Sequence, residues 1–324
     1  MRAIRSLQSR SQPVIRMKAA LLPDRGVVKV AGDAARKFLN GLVTADLAKA
    51  APGYARFAAL LTPQGKIIVD FIVTEAEPSD GGGFFLDCPR VLAPTLVERL
   101  NFYKLRAKVI AEDLSETLSA MAVWGDVPER ARSQPQGRNN TRWACCPDPR
   151  LPELGARCML PPHLAAQAAA DLGAALVEAG EYEMHRIALG IPRGGMDFSY
   201  GDAFPHETDM DQLGGLDLDK GCFVGQEVVS RIAHRGTART RVIPVVFDGP
   251  PPETGLAVMA GDKNVGLMGS GLNGRGLAAL RLDRIEEALA SALPLAAGGI
   301  EIKPVKPAWA NFPFPGEGKP SENL

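Results

Sequence analysis

The tightest constraint in this chain of 324 residues is one short stretch, KGCFVGQE, running from Lys220 to Glu227. Gly221 and Gly225 flank a single thiol, Cys222. Glycine lets a backbone take φ > 0 or approach another group closely. The stretch therefore predicts a thiol held on a turn and not inside a helix. Lys220 precedes the thiol closely, and a cationic neighbour favours the thiolate. Gln226 and Glu227 then open a more regular run, EVVSRIAH. The plainer alternative is a tight turn around a buried structural cysteine.

Charge narrows the partners. Lys+Arg and Asp+Glu both number 37, so no global field draws nucleic acid or an anionic membrane. A local basic groove stays open. Hydrophobic content of 46% and charged content of 23% are those of a soluble globular protein. The length suits about two or three domains with a sizeable core. No apolar run approaches the roughly 20 residues of a membrane span. Five cysteines without regular spacing argue against a disulfide framework and for a reducing compartment.

The N-terminal segment stands apart. Arg2, Arg5, Arg10, Arg16 and Lys18 occur there with no acid, among serines and apolar residues. A mitochondrial transit peptide has that composition. The alternatives are a disordered tail, or an upstream start with Met17 as the true first residue. The expected compartment is cytoplasmic, with the mitochondrial matrix as the alternative if this segment is a targeting signal.

The fold is expected to begin at Leu21. GVVKVAG (Gly26 to Gly32) alternates like a strand, and Asp33 suits the N-cap of a helix through Phe38 and Leu39. Strands are expected at Tyr54 to Leu61 and Ile67 to Thr74, joined by the turn TPQGK, and at Phe84 to Cys88. Pro89 can open a helix through Asn101, with a strand in LRAKVIAEDL beyond it. Residues 126–163 read as irregular, and His163 to Leu189 as alanine-rich helix broken at Gly180. From Thr240 onward short strands alternate with Gly and Pro turns, as in a small β-barrel. Asp283 is expected to cap a short helix, RIEEALASAL.

Several residues invite a chemical reading. Asp70 lies in the apolar run IIVDFIV, where an unpaired charge is costly. It has either a partner and a function or a place on the wet face of its strand. Cys145, Cys146 and Cys158 fit neither a ferredoxin nor a zinc spacing, so no metal site is expected. The formal G-x-G-x-x-G at Gly269 to Gly274 lies between apparent strands, which argues for a hairpin over a dinucleotide site. His234 has either a chemical or a structural role.

KGCFVGQE resembles the signature of the folate-binding YgfZ family, relatives of the glycine-cleavage T-protein that support iron–sulfur cluster biogenesis. RGVVKVAGDAARKFLNGLVTAD (Arg25 to Asp46) resembles the opening strand–helix unit of the T-protein superfamily. EMHRIALGIPRGGMDF resembles its segment leading into the folate pocket. FPHE, ending at Glu207, is similar to a proline–x–glutamate element of both families, and SRIAHRG fits the YgfZ continuation. The resemblance implies an α+β, T-protein-like fold: two interleaved α/β subdomains over residues 19–239, then a β-barrel over 240–312, with loose tails at 1–18 and 313–324. It implies tetrahydrofolate in a central opening, and a role in assembly or repair of clusters, with iron–sulfur enzymes or cluster-assembly proteins as partners.

In that reading Cys222 is the working thiol with Lys220 beside it. Asp70 and Glu207 face the pterin N–H groups, Lys220 and Arg231 the anionic tail, and Gln226 completes the ligand set. Two departures count against the alternative, a folate-dependent aminomethyl- or methyl-transferase. The T-protein carries two adjacent acids where this chain has Val69 and Asp70, and a glutamate where it has Ala188. A folate-binding interaction module with an idle thiol is a third possibility.

Overall fold

The computed structural model describes residues 17–127, 144–236 and 238–317. The chain enters through strand β1 (Met17–Leu22) and then builds a sheet to which β1 does not belong. That sheet consists of β2 (Arg25–Ala31), β3 (Arg56–Leu61), β4 (Ile67–Glu75), β5 (Phe84–Pro89) and β6 (Ile110–Asp113). It is antiparallel in the order β3-β4-β5-β2-β6. Helices α1 (Ala35–Asn40) and α2 (Ala93–Lys104) contribute Leu39, Leu96 and Leu100 to a core with Val28, Leu60 and Phe71.

The chain then returns to β1. Strands β7 (Ser119–Gly125), β8 (Ala144–Pro147), β9 (Ala156–Leu160) and β10 (Ala175–Leu176) join it in the order β10-β1-β7-β9-β8. Helix α3 (Ala165–Leu172) packs on this sheet through Ala165, Ala168 and Ala169. A third cluster lies between the sheets, with Ala20 and Trp124 from one and Phe57 and Ile72 from the other. The two subdomains are thus interleaved, because the first strand of the second sheet is made before any strand of the first. Helix α4 (Ala179–Leu189) and helix α5 (Gln226–Arg235) complete this part.

Strand β11 (Thr240–Phe247) opens the barrel, followed by β12 (Ala257–Ala260), β13 (Lys263–Leu272), β14 (Arg275–Arg281), β15 (Leu295–Ala297) and β16 (Ile300–Pro304). The six close in the order β11-β14-β13-β12-β15-β16, which leaves no free sheet edge. Helix α6 (Leu282–Ala290) adds Ile285 and Ala288 to the barrel core. The glycine motif ends in the β13–β14 hairpin, where Asn273 and Gly274 have φ of 52° and 75°. Two successive positive φ values at Asn-Gly are the signature of a type I′ turn.

Some expectations need correction. β1 begins at Met17, inside the segment assigned to the tail and ahead of the expected start at Leu21. Asp33 does not cap α1; the N-cap position is Ala34, without a side-chain bond. A 3-10 turn, Arg90–Leu92, intervenes before α2. The run from Leu105 is strand only from Ile110, because Leu105 takes φ 42° at the end of α2. The alanine-rich helix breaks at Gly173, whose φ of 73° ends α3, while Gly180 lies within α4. Asp283 sits inside α6, where it accepts from Arg284 N–H. The described part of 126–163 holds β8 and β9, and 128–143 lie outside the described residues. Cys145 and Cys158 form a disulfide, against the expectation of unpaired thiols. They stand directly opposite across β8 and β9 with Cα atoms 4.1 Å apart.

Candidate functional site

The KGCFVGQE loop is a clasp. Lys220 Nζ donates to the carbonyls of Asn40, Val43 and Ala45, each at 2.7 Å. An ammonium has three donors, so all are used on the C-terminal end of α1 and the turn after it. Burial pulls the Lys220 pKa down to about 8. Phe223 is buried in the cluster between the sheets, while Val224 packs against the core of the first sheet. Gln226 Oε1 accepts from Phe223 N–H at 3.2 Å and closes the turn. Gly225, at φ +81°, starts α5. A Cβ there would lie 2.6 Å from Thr62 O and 3.0 Å from Gly65 Cα, so only glycine fits against the TPQGK turn. Anchored on both sides, the loop leaves Cys222 exposed, which removes the buried-cysteine alternative. The other free thiols, Cys88 and Cys146, are buried, and burial pushes each up to about 12.

Asp70 belongs to a different kind of place. It is buried on β4 and lines a cavity of about 260 Å³ together with Arg25, Arg150, Arg157, Tyr182 and Gly194. That volume is just under the roughly 300–1,000 Å³ of small-molecule sites. Tyr200 donates its O–H to Asp70 Oδ1. Around them runs a buried ionic network. Arg25 Nε donates to Asp87 at 2.6 Å, Arg150 grips Asp148 through bonds of 2.9 and 2.7 Å, and Arg157 reaches Asp148 at 3.2 Å and Tyr182 Oη at 3.0 Å. Burial opposes the charge of Asp148, but Arg150 and Arg157 outweigh it and hold the carboxyl well below the usual carboxylate range. Arg157 lines this cavity, and its Nη1 is buried without a hydrogen-bond partner.

The remaining candidates are elsewhere. Glu207 Oε2 accepts from Phe204 N–H at 2.8 Å, and its carbonyl accepts from Val242 N–H, so it ties the preceding loop to β11. Arg231 is exposed on α5 and paired with Glu227 at 2.7 Å. His234 is exposed near the end of the same helix. Neither Lys220 nor Arg231 lines the Asp70 cavity. Ala188 is exposed on α4 and lines a larger cavity of about 440 Å³, between α4, β11 and residues 305–309. That cavity holds neither Asp70 nor Cys222, so its size does not make it the centre of the chemistry. Sequence reasoning missed Arg25, Arg150, Arg157 and Tyr200. Arg157 alone carried a signal, as a charge in the otherwise apolar strand ARCML, while Arg150 and Tyr200 lie outside the strands. Among the described residues no group of three His, Cys, Asp or Glu side chains converges as metal ligands.

Comparisons with known proteins agree with this architecture. The family profile described as "GCVT N-terminal domain" matches residues 23–131, and "CAF17, C-terminal beta-barrel domain" matches 239–312. The crystal structure of glycine cleavage system aminomethyltransferase T from Bartonella henselae superposes with a TM-score of 0.71 over 92% of this chain and 88% of that one. At 16% identity this shows the fold alone. The chain is 34% identical to the "Iron-sulfur cluster assembly factor IBA57 homolog, mitochondrial" of Mycosarcoma maydis, over 74% of its own length and 60% of the relative's, less than two thirds of that protein. It is 32% identical to "Iron-sulfur cluster assembly factor IBA57, mitochondrial" of Homo sapiens, over 82% of this chain and 78% of that one. A T-protein-like body, a closed barrel and this identity over most of both chains lead to one conclusion: the chain belongs to the family of IBA57 iron–sulfur cluster assembly factors.

Proposed function

We propose that this protein is a reduced-folate-binding accessory factor of the YgfZ type, which supports assembly or repair of iron–sulfur clusters in specific enzymes with Cys222 as its working thiol. The observation that carries the reading is the clasp. Lys220, Phe223, Val224, Gly225 and Gln226 all face inward as anchors, and Cys222 alone of the free cysteines is exposed. A structural turn needs no exposed thiol. Lys220 then acts on the thiol by fixing the loop, since its three donors are used on carbonyls. Tetrahydrofolate is the proposed ligand of the Asp70 cavity, where Asp70 accepts from pterin N–H groups and Arg157 Nη1 donates to a ring acceptor. Glu207 ties its loop to β11 and Gln226 closes the thiol loop, while Arg231, exposed on α5, takes no part in that cavity. Client enzymes or other assembly proteins are the proposed partners. The relatives are named as mitochondrial proteins, which favours the organelle over the cytoplasm as the compartment.

The transferase alternative is weaker, because Ala188 is exposed toward another cavity and Val69 is fully buried core. The test is a deletion strain assayed for iron–sulfur enzyme activities and rescued with wild type or Cys222→Ser. Rescue by wild type alone, with Cys222→Ser melting normally, is the expected result. In parallel, iodoacetamide should label Cys222 first in folded protein, while Cys88 and Cys146 wait for unfolding. Full rescue by Cys222→Ser sinks the thiol mechanism.

A further inference from the structure

Asp70 and Tyr200 form a wall between two cavities. Asp70 lines the cavity of about 260 Å³, and Tyr200 does not. Tyr200 lines a more open groove of about 400 Å³, and Asp70 does not. The phenol donates to Asp70 Oδ1, so the two side chains meet end to end across the wall. The ring fits closely on the cavity side. A Cβ placed on Gly194, which lines the cavity, would lie 2.1 Å from Tyr200 Cζ and Oη. Phe198 holds the ring edge-on at 5.3 Å between centroids. Burial, and then the charge of Asp70, keep the phenol well above its ordinary pKa, so it stays a donor.

The groove has chemistry of its own. Helix α2 contributes Arg99 and Tyr103, and the turn after β3 contributes Thr62 and Gln64. Arg99 is exposed, and its guanidinium has no hydrogen bond or ion pair among the described residues. A guanidinium without a partner beside two tyrosine rings suits an aromatic group bearing a carboxylate. Behind the same turn lies the thiol loop, through the approach of Gly225 to Thr62 O.

We propose that this groove is the second half of the ligand site, taking an aryl-carboxylate tail against Arg99 and Tyr103, and that Tyr200 is a partition displaced from Asp70 when a ligand spans both halves. The proposal rests on the reduced-folate reading and adds where the tail of the ligand goes. A ring without a tail fills the Asp70 cavity and leaves Tyr200 in place. A ligand with a tail must move it, and the freed carboxylate then accepts from the ring N–H groups in place of the phenol.

The experiment is calorimetric titration of the full chain with tetrahydrofolate and with 6-methyltetrahydropterin, which has the ring and no tail. Arg99→Gln should weaken tetrahydrofolate about tenfold and leave 6-methyltetrahydropterin unchanged. Tyr200→Ala should tighten tetrahydrofolate selectively, because the partition no longer has to be displaced. A purely structural tyrosine would instead weaken both ligands alike, and that result overturns the proposal. So does an unchanged ratio of the two affinities in Arg99→Gln, a variant on an exposed helix face that tests the groove even where Tyr200→Ala fails to fold. If wild type binds 6-methyltetrahydropterin as tightly as tetrahydrofolate, the groove is excluded and the ring site stands. If it binds neither, the folate reading and this one fall together.

Discussion

The thiol loop and the Asp70 cavity solve opposite problems. The loop brings one reactive group to the surface and holds it by backbone contacts: lysine on carbonyls, glycine on a carbonyl, a glutamine closing its own turn. The cavity keeps charges inside and holds them by one another, with Arg25, Asp87, Arg150, Asp148 and Arg157 in a continuous network. Displaying a group costs little desolvation, while enclosing charges demands a partner for each. The two places should therefore fail differently when altered.

The largest effect belongs to the cavity. Asp148→Asn leaves Arg150 and Arg157 buried without their shared anion, and should cost about 3–5 kcal/mol in a urea melt at neutral pH. Because the native carboxyl titrates below its unfolded value, its contribution is complete above the unfolded pKa and is lost as pH falls beneath it. The gap between wild type and variant should therefore narrow in acid, and a gap independent of pH would contradict the assignment.

On the loop the effects are smaller and steric. Gly225→Ala meets both a positive φ and a carbonyl at 2.6 Å, and should cost about 2–3 kcal/mol with faster amide exchange at the TPQGK turn. Normal stability in this variant would mean that the loop does not rest on the turn. Lys220→Ala should cost about 1–2 kcal/mol at neutral pH. Lys220 titrates near 8 when folded and at 10.5 ordinarily, so between those values the unfolded chain holds a proton that the native chain has released. Its contribution thus raises stability with pH across that window. A pH titration of stability in Lys220→Met should lack this rise. Smallest of all, Arg231→Ala removes an exposed pair within one helix and should change stability by less than about 0.5 kcal/mol. A larger loss would show that α5, and not the clasp alone, holds this part of the molecule together.

Legibility in the sequence followed the same division. The loop is contiguous, so its glycines announced a turn, and only the destination of Lys220 was hidden, since Asn40, Val43 and Ala45 are far away in the chain. The strands and the barrel were readable from alternation, and the β13–β14 hairpin from glycines lying between apparent strands. The cavity was not readable. Arg25, Asp70, Arg157 and Tyr200 come from separate elements, and no local pattern ties Arg157 to Asp148 or Tyr200 to Asp70. Asp70 gave a sign, and Arg157 in ARCML gave the same one unused, because a charge inside an apolar strand needs a reason. The disulfide was missed for a related cause: the opposition of Cys145 and Cys158 is set by strand register, which spacing does not reveal.

The contact of Gly225 with the turn at Thr62 and Gly65 also sets a schedule for the newborn chain. The β3–β4 hairpin leaves the ribosome long before its partner loop. The stretch from Gly65 to Gly225 takes on the order of ten to thirty seconds to translate at ~5–20 residues per second. During that interval the hairpin bearing Asp70 has no lid over its turn, and Ile67 still lacks Ala203, whose carbonyl its N–H will meet. Display of the thiol and completion of the hairpin are therefore one late event in biogenesis. A chain that stops short of Gly225 would carry the hairpin with nothing resting on its turn.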